Sequence, residues 1–257
     1  MKSSKLVSII ILVVIALFIL PRLCKEETNY EQEFDKQYDE LDDVDNTNKI
    51  ESDQDYGSGS LKDWPDSIYS TVQEATYLTQ IEKDVIIEHN KCRTNPKRYI
   101  SEVLEPFLDL LDNYGYFTDS NGRNIKTNEG RPAVEEAINE LSTHPPMPMI
   151  RPKEYLYKAA LDHCKDHGPK SLVGHDGSDG SSPMSRVKRY HSNTNGIGEN
   201  IAYGPMSGVE IVRDLIIDDG VPSRAHRKNI FSEYRYIGCA YGKHAGFKTM
   251  CVIDSEM

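Results

Sequence analysis

The sequence predicts an α+β domain over residues 61–257. Three observations carry this. Apolar residues recur at helical spacing in five segments, strand-like runs occur at 197–204, 237–242 and 249–254, and no internal repeat interrupts the 197 residues from Leu61 onward. A single domain of that size buries on the order of 70% of its extended-chain surface. Lys and Arg total 30 against 41 Asp and Glu, a net charge of -11, which removes the electrostatic footprint of a nucleic-acid binder. Five Cys without a CxxC pair exclude a zinc ribbon or a thioredoxin-type motif.

Residues 1–24 form an export signal: Lys2 and Lys5 precede the uncharged run Leu6–Leu20. The run is short for the ~20 residues that span a bilayer. The following PRLCKEE lacks a small-x-small cleavage site, so cleavage and retention as a membrane anchor both stay open. Either way the charge order places the remainder outside the cytoplasm. Residues 25–60 hold 13 acidic side chains and three Lys, and end in Gly-Ser-Gly-Ser. That composition predicts a disordered acidic linker.

Within the domain, Thr79–Asn95 reads as a helix stopped by Pro96. Ile100 to Leu111 repeats at i, i+3, i+4, i+7, i+8 and i+11 with a distortion expected at Pro106. Asn113–Arg131 is a polar loop, Pro132–Leu141 a short amphipathic helix, and Pro152–His167 a helix closed by Gly168. On its buried stripe His163 and His167 stand at i and i+4, but Cys164 occupies the place of the Glu in HExxH, so the pair is read as structural. The loop Val173–Ser182 carries His175, Asp176 and Asp179. It lacks both an EF-hand ligand pattern and a nucleophile elbow. In the strand Ile197–Gly204, Glu199 shares one side with Ile201 and Tyr203 and needs a partner.

Ser207–Asp219 reads as the last helix. Asp218 and Asp219 sit at its carbonyl end, where negative charge is unfavourable. Arg224, His226 and Arg227 follow, so ion pairs or a metal-binding His–Asp pair offset the penalty. Cys239 and Cys251 lie equidistant from Ala245 across a predicted hairpin, and an exported chain meets an oxidising compartment, which together predict a disulfide between them. Cys92 and Cys164 are then either bonded to each other or buried as thiols.

The run from EHNKCRTNPKRY at Glu88, through EGRPAVEEAINEL, AALDHCKDHG, GHDGSDGSS, Arg186, GENIAYG and DDGVPSRAHRKNI to GCAYG and MCVID, resembles the CAP superfamily of cysteine-rich secretory, antigen 5 and plant pathogenesis-related proteins. It is most similar to the microbial and protist branch. The resemblance implies a three-layer α-β-α sandwich around a small antiparallel sheet. It also implies a cavity lined by two His and two acids: His175, His226, Glu199 and Asp218, with Asp219 as the alternative because Leu215 replaces the family's Trp. Such a set suits zinc or a similar divalent ion. The implied function is a secreted or surface-anchored module that captures an ion, a lipid or an extracellular protein. The alternative is a metal-dependent peptidase or esterase in which His175 or His226 acts as base and Glu199 activates water. In a third reading the four residues are a satisfied core network.

Overall fold

The computed structural model describes residues 64–119, 122–204 and 207–257, all within one unit, Lys49–Met257. The export signal and acidic linker expected over 1–60 lie outside the described residues. Among the described residues no helix is long and apolar enough to cross a membrane.

The first helices follow the sequence reading closely. After α1 (Asp66–Ser70), α2 (Gln80–Thr94) starts where Thr79 is followed three residues later by Glu82. The Thr79 amide donates to Glu82 Oε2 at 2.8 Å, and the amide of Tyr241 donates to Oε1 at 2.9 Å, so one buried carboxylate caps the helix and ties it to the sheet. The expected distortion near Pro106 takes the form of a π-helical turn, Ile100–Leu104, between α3 (Pro96–Tyr99) and α4 (Glu105–Leu110). Pro106 then stands in a first turn, where its missing N–H costs nothing. The predicted polar loop contains a small hairpin, β1 (Tyr116–Thr118) and β2 (Asn124–Lys126), before α5 (Arg131–Thr143).

Pro152 does not open a helix. It lies in β3 (Arg151–Pro152), an edge strand where a residue without N–H is tolerated, and α6 (Glu154–Lys170) begins two residues later. That helix passes Gly168 and ends at Ser171, in the left-handed region at φ 55°. A helix unforeseen from sequence, α7 (Pro183–Tyr190), precedes β4 (Ile197–Tyr203). Next come α8 (Gly208–Ile217), a further short helix α9 (Ala225–Ile230), β5 (Tyr236–His244) and β6 (Lys248–Glu256). The helix ending near Asp218 is therefore not the last, because Arg224 at φ 51° turns the chain into α9.

The four-stranded sheet has the order β3-β5-β6-β4, antiparallel throughout its three long strands and parallel only at β3. Alternation along β5 builds the layers. Ile237, Cys239 and Tyr241 enter the main core with residues of α2, α5 and α8. Gly238, on the opposite face, lies under α6, where a Cβ would come 2.1 Å from the Tyr157 amide nitrogen. Helix, sheet and helices thus form an α-β-α arrangement of the α+β class, as expected.

The predicted Cys239–Cys251 disulfide is absent, because the hairpin is centred on Gly246 rather than Ala245. Cys239 faces Ile253 and Cys251 faces Tyr241, a diagonal relation that leaves two buried thiols with Sγ atoms 3.4 Å apart. Cys92 and Cys164 are also buried thiols, whose Sγ atoms donate to the carbonyls of His89 and Ala240.

Candidate functional site

His175 projects from the Gly-rich loop between α6 and α7 and is half exposed, whereas Glu199, on β4, is buried. His175 Nδ1 lies 2.8 Å from Glu199 Oε1, and Arg186 Nη2, from the buried face of α7, donates to Oε2 at 2.5 Å. The hydrogen bond to Glu199 raises the His175 pKa against the opposing effect of burial. Burial pushes the Glu199 carboxyl up, but the His175 hydrogen bond and the Arg186 charge outweigh it and hold the group below the usual carboxylate range. Asp254 faces Glu199 across the β4–β6 ladder. Burial first, then the neighbouring Glu199 charge, pushes its pKa well above normal.

The second pair forms where α8 ends. Asp218 caps that helix at φ 56°, and its buried carboxylate accepts from His226 Nδ1 at 2.6 Å and from the His226 amide at 2.9 Å. Asp219 turns away, accepting from the amides of Asn128 and Glu129 at 2.6 and 2.7 Å. The acids at the carbonyl end are thus offset by donors, and Arg224 adds a bond from Nη1 to the Asp218 carbonyl at 2.8 Å. Arg224 and Arg227 are themselves paired with Glu129, Glu136 and Glu140.

Adjacent residues of β4 touch both regions. Glu199 holds His175, while Asn200 Nδ2 donates to the His226 carbonyl at 3.0 Å and Asn200 Oδ1 accepts from Asn229 at 2.9 Å. In each His–carboxylate pair Nδ1 is engaged by the acid, which leaves Nε2 as the nitrogen available to a ligand.

The four expected ligands do not close into a cage. Among the described residues, the group of three with ligand atoms within 4.8 Å of one another is His163, Asp166 and His167 on α6. The two Nε2 atoms of this group each lie 2.9 Å from a carbonyl oxygen, of Gly174 and Asp176 respectively, while both buried Nδ1 atoms have no hydrogen-bond partner. Asp166 accepts from Lys170 and from the Ser178 amide, both at 2.7 Å.

Sequence reasoning missed the role of Arg186, which supplies the charge partner of Glu199 from a helix that went unrecognised. Ser182 followed by Pro183 was the available signal, an N-cap residue with Pro in the first turn, and the Ser182 hydroxyl does accept from the Ser185 amide at 3.2 Å.

A family profile described as the cysteine-rich secretory protein family (CAP) matches residues 126–254, from the end of β2 to β6. No curated protein matches. Among solved structures, an outer surface protein from Borrelia burgdorferi is similar at 20% identity, with 42% of this chain and 76% of that one covered and a TM-score of 0.36.

Proposed function

Because this chain belongs to the cysteine-rich secretory protein (CAP) family, we propose that it is a secreted or surface-held binding module with an ion site at His175 and His226. The observation that carries the reading is the pair of imidazoles, each with Nδ1 held by a carboxylate, Glu199 or Asp218. That is the orientation a His ligand needs to present Nε2 to zinc, with the acid behind it fixing the tautomer and raising ligand basicity. The acids therefore act behind the imidazoles rather than as direct ligands. Zinc bound there would supply a fixed positive charge and an open coordination position.

The captured ligand is a lipid. Leu172, Val173 and Phe247 are exposed large apolar side chains near this loop, and the Gly174 amide donates to Tyr203, whose ring lies 5.3 Å from Phe247. Exposed Lys243 and Lys248 flank the same hairpin turn. Apolar tips beside cations suit a lipid tail and an anionic headgroup. Extracellular placement accords with the N-terminal signal and with the habit of the family.

Hydrolysis has less support. Both Glu199 oxygens are engaged and its pKa is lowered, so it is a weak base for activating water.

The test is calorimetric titration of zinc into the full chain beside a His175→Ala, His226→Ala double variant at neutral pH. Saturable binding lost in the variant supports the ion site, and equal or absent binding removes it. Sedimentation with phosphatidylserine-containing vesicles, compared with Phe247→Ser, tests the lipid reading on its own.

A further inference from the structure

The loop that carries His175 is gripped at three consecutive peptide groups. Gly174 O lies 2.9 Å from His163 Nε2, His175 O accepts from Arg186 Nη1 at 2.9 Å, and Asp176 O lies 2.9 Å from His167 Nε2. A carbonyl oxygen can only accept, so both imidazoles carry their proton on Nε2. His163 and His167 stand one turn apart on α6 with ring centroids 4.0 Å apart, and both are buried, which excludes water as a substitute donor. One helix face therefore reaches the backbone on either side of His175.

We propose that His163 and His167 are positioning residues for the ion site, neutral Nε2–H donors that fix the peptides flanking His175 and so aim its imidazole. This rests on the reading of His175 as an ion ligand. The loop needs such a grip, because Gly174 and Gly180 take φ values of 103° and 79° and bring little stiffness of their own. The same geometry argues against a metal held by His163, Asp166 and His167. Their Nε2 atoms donate to the loop carbonyls, Lys170 and Ser178 engage the carboxylate, and the neighbouring Arg186 cation would repel an ion placed at the unpartnered Nδ1 atoms. Burial, then Arg186, lowers the His163 pKa to about 4, which keeps the ring neutral at physiological pH.

The experiment compares the full chain with two double variants. His163→Gln, His167→Gln keeps an N–H donor near the place of Nε2. His163→Met, His167→Met keeps bulk without a donor. Nitrogen-15 NMR of the metal-free protein should show both rings as Nε2–H tautomers. The Met pair should speed amide exchange over 174–178 and weaken zinc affinity by about 10- to 100-fold, while the Gln pair stays near the parent in both. Zinc-induced shifts of the His163 or His167 nitrogens, an Nδ1–H tautomer, or a Met pair that binds zinc and exchanges like the parent would overturn the proposal. If the parent binds no zinc, the ion-site reading fails, and the tautomer and exchange data still decide whether these imidazoles hold the loop.

Discussion

Replacing Arg186 with Met should be among the most damaging single changes in the domain. Arg186 is 1% exposed, and its guanidinium binds Glu199 at 2.5 Å and the carbonyls of His175 and Ser181 at 2.9 and 3.0 Å. Removing one partner of a buried ion pair costs about 3–5 kcal/mol, because the remaining charge is left without compensation. Here that charge is Glu199, opposite Asp254, so protonation of one acid is the relaxation available. The expected loss is about 4 kcal/mol, or a fall in Tm of roughly 8–16 °C for a domain of this size. Urea denaturation of Arg186→Met, Glu199→Gln and the double variant measures it. The double variant should be less unstable than the two single losses summed, by about 1–3 kcal/mol. A loss below about 1 kcal/mol for Arg186→Met, or simple additivity, would refute the buried-pair argument.

Stability should also fall with acid. Burial, then Arg93 or Arg186, lowers the pKa of His89 to about 3 and that of His163 to about 4, so below the unfolded value near 6.5 the unfolded chain binds the extra protons. Their contribution is complete above about pH 6.5 and is lost as pH drops toward about 4; urea midpoints at about pH 7 and 5 should differ by about 2–4 kcal/mol of stability. Gly238→Ala should cost about 3 kcal/mol or more, since its Cβ would meet the backbone of α6 at 2.1 Å, and a thermal melt within about 2 °C of the parent, on the order of 1 kcal/mol, would contradict that packing. Cys92, Cys164, Cys239 and Cys251 are buried thiols, so mass spectrometry should find them unmodified by iodoacetamide in the native protein and all modified, without reductant, in denaturant.

Much of this molecule was legible from residues close together in the chain. The stripe from Ile100 to Leu111 announced helix and distortion together, and the alternation around IGENIAY announced β4. The motifs that carry the family resemblance were equally visible, and with them His175, Glu199 and His226, because short polar signatures survive without tertiary context. Local pattern was weakest where a Pro has two uses. Pro152 suits a helix start and an edge strand alike, and only the ladder with Tyr236 and Ile237 selects the strand.

What the chain determined alone was the long helices, the three long strands and the residue types available for chemistry, since periodicity and capping act over a few residues. The tertiary structure decided the pairings. A shift of the hairpin centre by one residue separated Cys239 from direct opposition to Cys251. The left-handed turn at Asp218 gave His226 to that acid and left Asp219 to the backbone of Asn128 and Glu129. Packing of α7 and α6 against the 174–182 loop brought Arg186, His163 and His167 to three successive carbonyls. These contacts join residues separated by up to 91 positions, and their geometry depends on how helices and sheet close over one another, which no local pattern encodes.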